Sequence, residues 1–173
     1  MTRLFFALQP SPDDLDRLAS ALPDDLEAGR VIPRENLHVT LAFLGDLDAE
    51  QEAAARAAAD GVQAPPVELS FTALAYWSGP RTRVLVPETI PAAAQTLRGE
   101  LARRLRERGV PFDIRVWRPH LTVARKAHPA EEVALEPLLF RFREFSLVHS
   151  HTDPAGARYV SIGRWPLQEL RSI

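Results

Sequence analysis

The hydrophobic pattern of the chain consists of short apolar runs that end at proline, glycine or acidic residues. Runs of this length, bounded by turn-forming residues, are typical of β-strands. We therefore predict strands at residues 4–8, 37–44, 67–74, 83–86, 119–124, 140–150 and 158–164. Three other segments favour helices, at residues 11–22, 49–59 and 91–108. This mixture of strands and helices predicts an α+β fold.

The ends of the predicted helices carry sequence signals. Ser11 is a typical N-cap residue, and Pro12 and Asp13 suit the first helical turn. The segment 49–59 is rich in alanine and contains neither glycine nor proline, which favours a helix. Gly109 is expected to end the third helix.

The chain contains a coarse internal echo. A helix precedes the segment His38-Val39-Thr40-Leu41-Ala42, and a second helix precedes the similar segment His120-Leu121-Thr122-Val123-Ala124. The echo predicts two halves related by a pseudo-twofold axis, each an antiparallel sheet packed with helices. We expect the two halves to form a single bilobal domain over residues 1–173, with an active-site cleft between them.

Each His-x-Thr segment has the period of two that defines the faces of a strand. Alternation predicts that His38, Thr40 and Ala42 share one face, and that Val39, Leu41 and Phe43 share the other. The same alternation places His120, Thr122 and Ala124 together. If the halves pack around a pseudo-twofold axis, two imidazoles and two hydroxyls converge on one cleft.

Composition narrows the chemistry that this cleft can perform. The 173 residues carry a net charge of −2, which argues against a protein that coats long stretches of nucleic acid. Cysteine is absent, which excludes disulfides, thiolate nucleophiles and cysteine-ligated zinc. No apolar run is long enough to span a membrane. We expect a soluble, cytoplasmic monomer without an obligate protein partner.

Two histidines and two threonines suit the opening of a cyclic phosphate. That reaction needs a base to deprotonate water and an acid to protonate the leaving alkoxide, and two imidazoles can hold opposite protonation states near neutral pH. Threonine hydroxyls can donate hydrogen bonds to the phosphate oxygens as charge develops. Because a five-membered cyclic phosphate is strained, we expect no metal and no other cofactor.

The motifs resemble the RNA 2′,3′-cyclic phosphodiesterases (LigT-like, 2′-5′ RNA ligase family) of the two-histidine phosphoesterase superfamily. The resemblance rests on five segments in the order typical of the family: 3–8, 35–45, 118–125, 156–159 and 164–167. It implies hydrolysis of the 2′,3′-cyclic phosphate of an RNA 3′ end or a nucleotide to a 2′-phosphate. Two alternatives stay open: a 2′-5′ ligase acting on tRNA halves, and a non-catalytic module that binds RNA ends or nucleotides.

The resemblance also implies roles for individual residues. His38 would be the general acid that protonates the 3′-oxygen, and His120 the base that activates water. Thr40 and Thr122 would hold the phosphate. Because the two motifs are chemically equivalent, their spacing alone leaves the assignment of acid and base open.

Further candidates surround these motifs. Arg125 is a candidate phosphate or base contact, although strict alternation places it opposite His120 unless the strand ends or twists there. Phe6, or its neighbour Phe5, offers an aromatic face for a nucleobase, with core packing as the alternative. His149 and His151 have the spacing of a metal site but lack convincing further ligands, so we expect no metal there.

Overall fold

The computed structural model describes residues 1–23 and 29–169, which contain nine β-strands and three α-helices. The elements follow in this order: β1 (Thr2–Leu8), α1 (Pro12–Ala21), β2 (Arg30–Val31), a 3-10 turn (Arg34–Asn36), β3 (Val39–Leu47), α2 (Ala49–Asp60), β4 (Val67–Trp77), β5 (Thr82–Pro87), α3 (Ala92–Glu107), β6 (Leu121–Arg125), β7 (Val133–Phe142), β8 (Glu144–Asp153) and β9 (Gly156–Pro166). Among these residues, no helix is long and apolar enough to cross a membrane.

Local sequence explains where the helices begin and end. The Ser11 hydroxyl accepts a hydrogen bond from the Asp14 N–H (3.1 Å), which confirms the predicted N-cap of α1. At the start of α2, Asp48 and Gln51 form a reciprocal capping box. Gly109 follows α3 with a positive φ of 68°, a conformation that glycine adopts without steric cost.

All strands belong to one antiparallel sheet with the order β7-β4-β5-β6-β3-β1-β8-β9, and β2 pairs with β6 beside this path. The sheet divides into two groups of four strands that meet at one residue pair, Val39 opposite Leu121. The unit β1-α1-β3 on one side of this junction corresponds to β5-α3-β6 on the other. The predicted α+β fold with two antiparallel halves is confirmed.

The hydrophobic core lies between the helices and one face of the sheet. Leu97 and Leu101 of α3 and Ala55 of α2 are buried there with side chains from both halves of the sheet, such as Phe6 and Phe71. The halves therefore share one core, and their opposite faces form the walls of the cleft described below.

Two expectations about strands are wrong in detail, and one short strand was not predicted. The segment 140–150 is two strands, β7 and β8, which are separated at Arg143 and pair with different partners, β4 and β1. The turn between them contains neither glycine nor proline, so the apolar pattern continues across it. β3 and β6 begin at Val39 and Leu121, so each motif histidine immediately precedes its strand. The two-residue strand β2 has no apolar run to mark it.

A one-residue β-bulge in each motif changes the predicted facing. In β3, Thr40 pairs with Ala7 and Ala42 pairs with Phe6, so Leu41 is an extra residue. Because side chains alternate along a strand, one extra residue moves the following side chains to the other face. Ala42 therefore lies in the core rather than beside Thr40, whereas Phe43 lies on the face of Thr40 and faces the cleft.

The second motif repeats this arrangement. Thr122 pairs with Val84 and Ala124 pairs with Arg83, so Val123 is the extra residue in β6. Ala124 is buried, and Arg125 faces the cleft with Thr122. Arg125 was expected to contact the phosphate or base only if the strand ended or twisted before it. The bulge at Val123 provides that change of facing.

Candidate active site

A cleft of about 860 Å³ lies where the two halves of the sheet meet. Both motif histidines and both motif threonines line it, which is the convergence predicted from the echo in the sequence. The other lining residues are Phe43, Trp77, Gly79, Pro80, Thr82, Arg98, Asp113, Arg115, Val116, Trp117, Arg118 and Arg125. Leu41 and Ala42 also border the cleft at the bulge, although both residues are buried in the core.

His38 is held by hydrogen bonds at both ring nitrogens. Its Nδ1 lies 2.7 Å from the carbonyl oxygen of Asn36, and its Nε2 lies 3.0 Å from the Thr40 hydroxyl. Because a carbonyl oxygen only accepts, Nδ1 carries the proton, and Nε2 of the neutral ring accepts from Thr40. The Asn36 side chain in turn donates to the carbonyl of Ala157 (2.9 Å), which fixes the 3-10 turn against the start of β9.

Aromatic rings enclose His38 on two sides. The ring centroid of Phe5 lies 4.8 Å from that of His38, and the ring of Tyr159 lies 5.4 Å away. The pKa of His38 is lowered to about 4, chiefly because burial disfavours the charged imidazolium and to a smaller extent because of the positive charges of Arg125 and His120, while the hydrogen bond to the Asn36 carbonyl acts in the opposite direction. In the free protein, His38 is therefore neutral at pH 7.

His120 has a related but more open environment. Its Nδ1 donates to the carbonyl oxygen of Arg118 (2.7 Å). In the neutral ring the lone pair therefore lies on Nε2, as it does in His38. The indole of Trp77 lies against the imidazole, with the ring centroids 4.4 Å apart. Burial lowers the pKa of His120 below its ordinary value, and the positive charges of Arg118 and Arg125 act in the same direction.

The central strand pair sets the two motifs across from each other. Val39 lies opposite Leu121 in antiparallel register. Extending this register by one residue in each direction places His38 across from Thr122, and Thr40 across from His120. Side chains in such positions have Cβ atoms about 4.5–5.5 Å apart. The two motifs therefore meet at this junction, and all four of their histidine and threonine side chains line the same cleft.

The cleft is positively charged although the whole chain is weakly acidic. Of the residues that the structure describes, four arginines line it: Arg98, Arg115, Arg118 and Arg125. The single carboxylate among these described lining residues, that of Asp113, pairs with Arg115 at 2.6 Å. An anionic ligand such as a phosphate ester therefore suits the cleft.

The structure corrects the expectation for Phe6. Its side chain is 0% exposed and packs on the core side of the sheet against Phe145 and Trp165. It is therefore not available to stack on a base. Phe5 faces the cleft side but packs on His38, whereas the ring of Phe43 lines the cleft and is 36% exposed. Strict alternation predicted the opposite face of β3 for Phe43, because it does not allow for the bulge that brings this ring to the cleft.

Two tryptophans complete the cleft. Trp117 donates its Nε1–H to the backbone carbonyl of Thr40 (2.9 Å) and so ties the segment before β6 to β3. Sequence reasoning missed Trp117, which has no periodic pattern around it. Trp77, the last residue of β4, also lines the cleft, whereas its neighbours Tyr76, Arg81 and Arg83 do not.

The histidine pair of β8 is separate from this cleft. The imidazole rings of His149 and His151 lie 3.6 Å apart, and neither residue lines the cleft. Within residues 1–23 and 29–169, no group of three or more histidine, aspartate or glutamate side chains is arranged to hold a metal ion.

Comparison with known proteins places this geometry in a family. The model of the 2′-5′ RNA ligase superfamily matches residues 7–154. The chain belongs to the 2′-5′ RNA ligase superfamily. One relative with similar sequence is the RNA 2′,3′-cyclic phosphodiesterase of Escherichia coli strain K12, which is 32% identical over 96% of this chain and 97% of its own length.

Solved structures support membership of the superfamily. E. coli LigT complexed with 3′-AMP superposes with a TM-score of 0.83 at 30% identity, over 97% of this chain and 99% of that one. LigT in its apo form superposes with a TM-score of 0.84 at 29% identity, over 97% and 98% of the two chains. A Thermus thermophilus protein of 23% identity shares the fold with a TM-score of 0.78, over 96% and 98% of the chains.

Proposed function

We propose that the protein hydrolyses the 2′,3′-cyclic phosphate of an RNA 3′ end or a nucleotide to a 2′-phosphate. The observation that carries this proposal is that His38, Thr40, His120 and Thr122 line one cleft at the junction of the halves, where Val39 pairs with Leu121. The E. coli relative is named RNA 2′,3′-cyclic phosphodiesterase, and it aligns with this chain over nearly the full length of both. This similarity supports the same reaction.

In this reaction one histidine removes a proton from water and the other supplies a proton to the leaving oxygen. The water oxygen bonds to phosphorus, the bond between phosphorus and the 3′-oxygen breaks, and the 3′-oxygen takes the proton. We assign the base to His120 and the acid to His38, following the family resemblance. Both present Nε2 for these transfers, because Nδ1 of each donates to a backbone carbonyl.

The hydroxyls and one arginine bind the phosphate in this proposal. Thr40 and Thr122 stand beside the imidazoles and can donate to the non-bridging oxygens as negative charge builds up on them. The Arg125 guanidinium lies at the same wall and acts electrostatically on both histidines. It supplies the full positive charge that the hydroxyls lack.

Substrate binding prepares His38 for its role as the acid. In the free protein burial lowers its pKa to about 4, so the ring is neutral at pH 7. A phosphate anion placed beside the ring favours the imidazolium and raises this pKa. His38 is therefore loaded with its proton when an anionic substrate occupies the cleft.

The first experiment identifies the product. The protein is incubated with a nucleoside 2′,3′-cyclic phosphate and with an RNA oligonucleotide ending in the same group, each with and without EDTA. We expect the 2′-phosphate in every case, at rates that EDTA does not change. Binding of both substrates without turnover would instead support a non-catalytic module, and loss of activity in EDTA would contradict a metal-independent reaction.

The second experiment assigns the two histidines. The rate profile of an acid–base pair has an acidic limb that reports the base and an alkaline limb that reports the acid. We expect the residual activity of His120→Ala to lose the acidic limb and that of His38→Ala to lose the alkaline limb. The reverse result would exchange the roles while preserving the mechanism.

Membership of the superfamily also favours ligation as a second activity. The same acid–base pair can activate the 5′-hydroxyl of a second RNA fragment in place of water, which gives a 2′-5′ linkage and a free 3′-hydroxyl. Cleaved tRNA halves test this reaction, with the 2′-5′ linkage identified by its resistance to nucleases specific for 3′-5′ bonds.

Three further expectations belong to this proposal. Residues 1–173 are proposed to form one two-histidine phosphoesterase domain, acting as a monomer without an obligate protein partner and in the cytoplasm. Limited proteolysis tests the single domain, because a linker between two domains would be cut first. Sedimentation analysis tests the monomer, and cell fractionation tests the location.

A further inference from the structure

His120, Trp77 and Arg118 form a cluster of packed side chains at one wall of the cleft. The indole of Trp77 contacts both other side chains: its ring centroid is 4.4 Å from that of His120, with the two ring planes tilted by 53°, and the Arg118 guanidinium carbon lies over the indole, 4.4 Å from its centroid. Trp77 ends β4, whereas Arg118 and His120 precede β6. The cluster therefore joins two segments that are remote in sequence.

We propose that Trp77 and Arg118 are positioning residues for His120, which hold its imidazole with Nε2 directed at the phosphate and one ring face closed to water. This inference rests on the proposed function, because it concerns the base of that reaction. It assigns to the cluster a task beyond binding the substrate.

Two contacts fix the imidazole in different ways. The hydrogen bond from Nδ1 to the Arg118 carbonyl (2.7 Å) sets the tautomer but leaves the ring free to rock about this bond. The indole closes one side of the ring and limits that motion. Arg118 stacks on the indole and thereby holds the indole in place.

The imidazole of His38, in the other motif, is held by more contacts than that of His120, and the comparison shows how far His120 depends on Trp77. His38 has two aromatic neighbours, Phe5 and Tyr159, and a hydrogen bond to Thr40 at Nε2. No bond to Nε2 of His120 is present among the described residues, so its orientation depends on fewer contacts. Loss of the indole therefore removes a larger share of the support for His120.

The charged groups around His120 agree with this role. Arg118 and Arg125 both act against protonation of His120, and His38 faces it from the other half. Desolvation is the largest cause of its lowered pKa. Because Trp77 packs against the imidazole, its removal exposes more of the imidazole to water and raises the pKa of His120 toward the ordinary value.

The test uses Trp77→Leu, with Tyr76→Leu as a matched control on the same strand, since Tyr76 does not line the cleft. The His120 ring is titrated by NMR in the free protein, and kcat and KM are measured with a nucleoside 2′,3′-cyclic phosphate. We expect Trp77→Leu to raise the pKa of His120 and to lower kcat about 10- to 100-fold, as a misdirected catalytic group does, with KM within about twofold. Tyr76→Leu is expected to change none of these values.

Further variants guard against a simple failure to fold. Trp77→Phe retains a flat ring and is expected to recover part of kcat. Arg118→Ala preserves the backbone carbonyl that holds Nδ1, and we expect it to raise the pKa of His120 and lower kcat less than Trp77→Leu. Because loss of the Arg118 charge by itself raises the pKa of His120, Arg118→Ala is judged by kcat alone. Should Trp77→Leu not fold, Trp77→Phe decides the question by both measurements.

Two results would overturn the proposal. An unchanged His120 titration together with an unchanged kcat would show that the cluster does not position the ring. A rise in KM alone would make Trp77 a stacking surface for the substrate. The NMR titration needs no turnover, so it separates failure of this inference from an inactive wild-type protein, which would refute the proposed function instead.

Discussion

Replacing Phe6 with alanine separates a structural role of its ring from a role in binding substrate. Phe6 is 0% exposed, and the rings of Phe145 and Trp165 lie 6.0 and 5.8 Å from it. Truncating a buried phenylalanine loses its transfer free energy and leaves a cavity, which together cost about 3–5 kcal/mol. In a chain of this size each kcal/mol lowers Tm by about 2–4 °C, so we expect a loss of about 6–20 °C.

Phe43→Ala is the matched comparison, because Phe43 is the aromatic ring that the bulge turns into the cleft. Its ring is 36% exposed, so truncation is expected to cost about 1 kcal/mol or less. If this ring stacks on the base of the substrate, its loss weakens binding of a 2′,3′-cyclic nucleotide by about 1–3 kcal/mol, and KM rises roughly 5- to 150-fold. Calorimetry gives Tm, and steady-state kinetics well below the Tm of both variants gives KM.

The two variants are expected to show opposite behaviour: Phe6→Ala loses stability and preserves KM, and Phe43→Ala preserves stability and loses affinity. A Phe6→Ala protein that is as stable as wild type, or that is fully folded with a much higher KM, would refute the assignment of Phe6 to the core. A Phe43→Ala protein with an unchanged KM would refute a stacking role for the ring that the bulge at Leu41 brings to the cleft.

Three other predictions concern the charges and protons of the site. His38→Ala and His120→Ala should each lower kcat about 10²- to 10⁴-fold, and the double variant should lose little more than the worse single variant, because the two groups act as a unit; single-turnover rates check this. Arg125→Ala should raise KM, and Arg125→Lys should recover only part of the affinity, since lysine lacks the planar fork of arginine; initial rates at several substrate concentrations test it. Burial lowers the pKa of His38 from 6.5 to about 4, so the unfolded chain binds a proton that the folded chain excludes, and stability falls as pH falls through this window. At pH 4 this loss is about 3 kcal/mol, and urea unfolding of His38→Gln should lack it.

The sequence was sufficient to predict the helices and the meeting of the two motifs. Ser11 and Gly109 mark helix ends through local chemistry that tertiary packing did not alter. The convergence of His38 and His120 followed from the repeat of a helix and a His-x-Thr segment, since similar sequences fold into similar halves. These signals depend on residues that are close to one another in the sequence, so they can be recognised without the structure.

The details that were wrong depend on partners far away in the chain. A bulge at Leu41 or Val123 exists only in relation to the register of β1 or β5, so alternation within the motif predicted the wrong face for Phe43 and Arg125. The turn at Arg143 is set by the two strands that β7 and β8 join, not by a glycine or proline. Trp77 reaches His120 from another hairpin, and no spacing in the sequence records that contact.

The hydrogen bond from Nδ1 of each motif histidine to the carbonyl two residues earlier has a consequence for how this site tolerates mutation. Many enzymes orient a histidine with a carboxylate side chain, and one substitution there erases the orientation. At position 118 the acceptor is the peptide itself, which every amino acid provides. The tautomer of His120 is therefore insensitive to side-chain replacement at this position and is vulnerable to changes of chain path. A saturation library at position 118 should retain the Nδ1–H tautomer throughout, whereas insertion of one residue between 118 and 120 should abolish it.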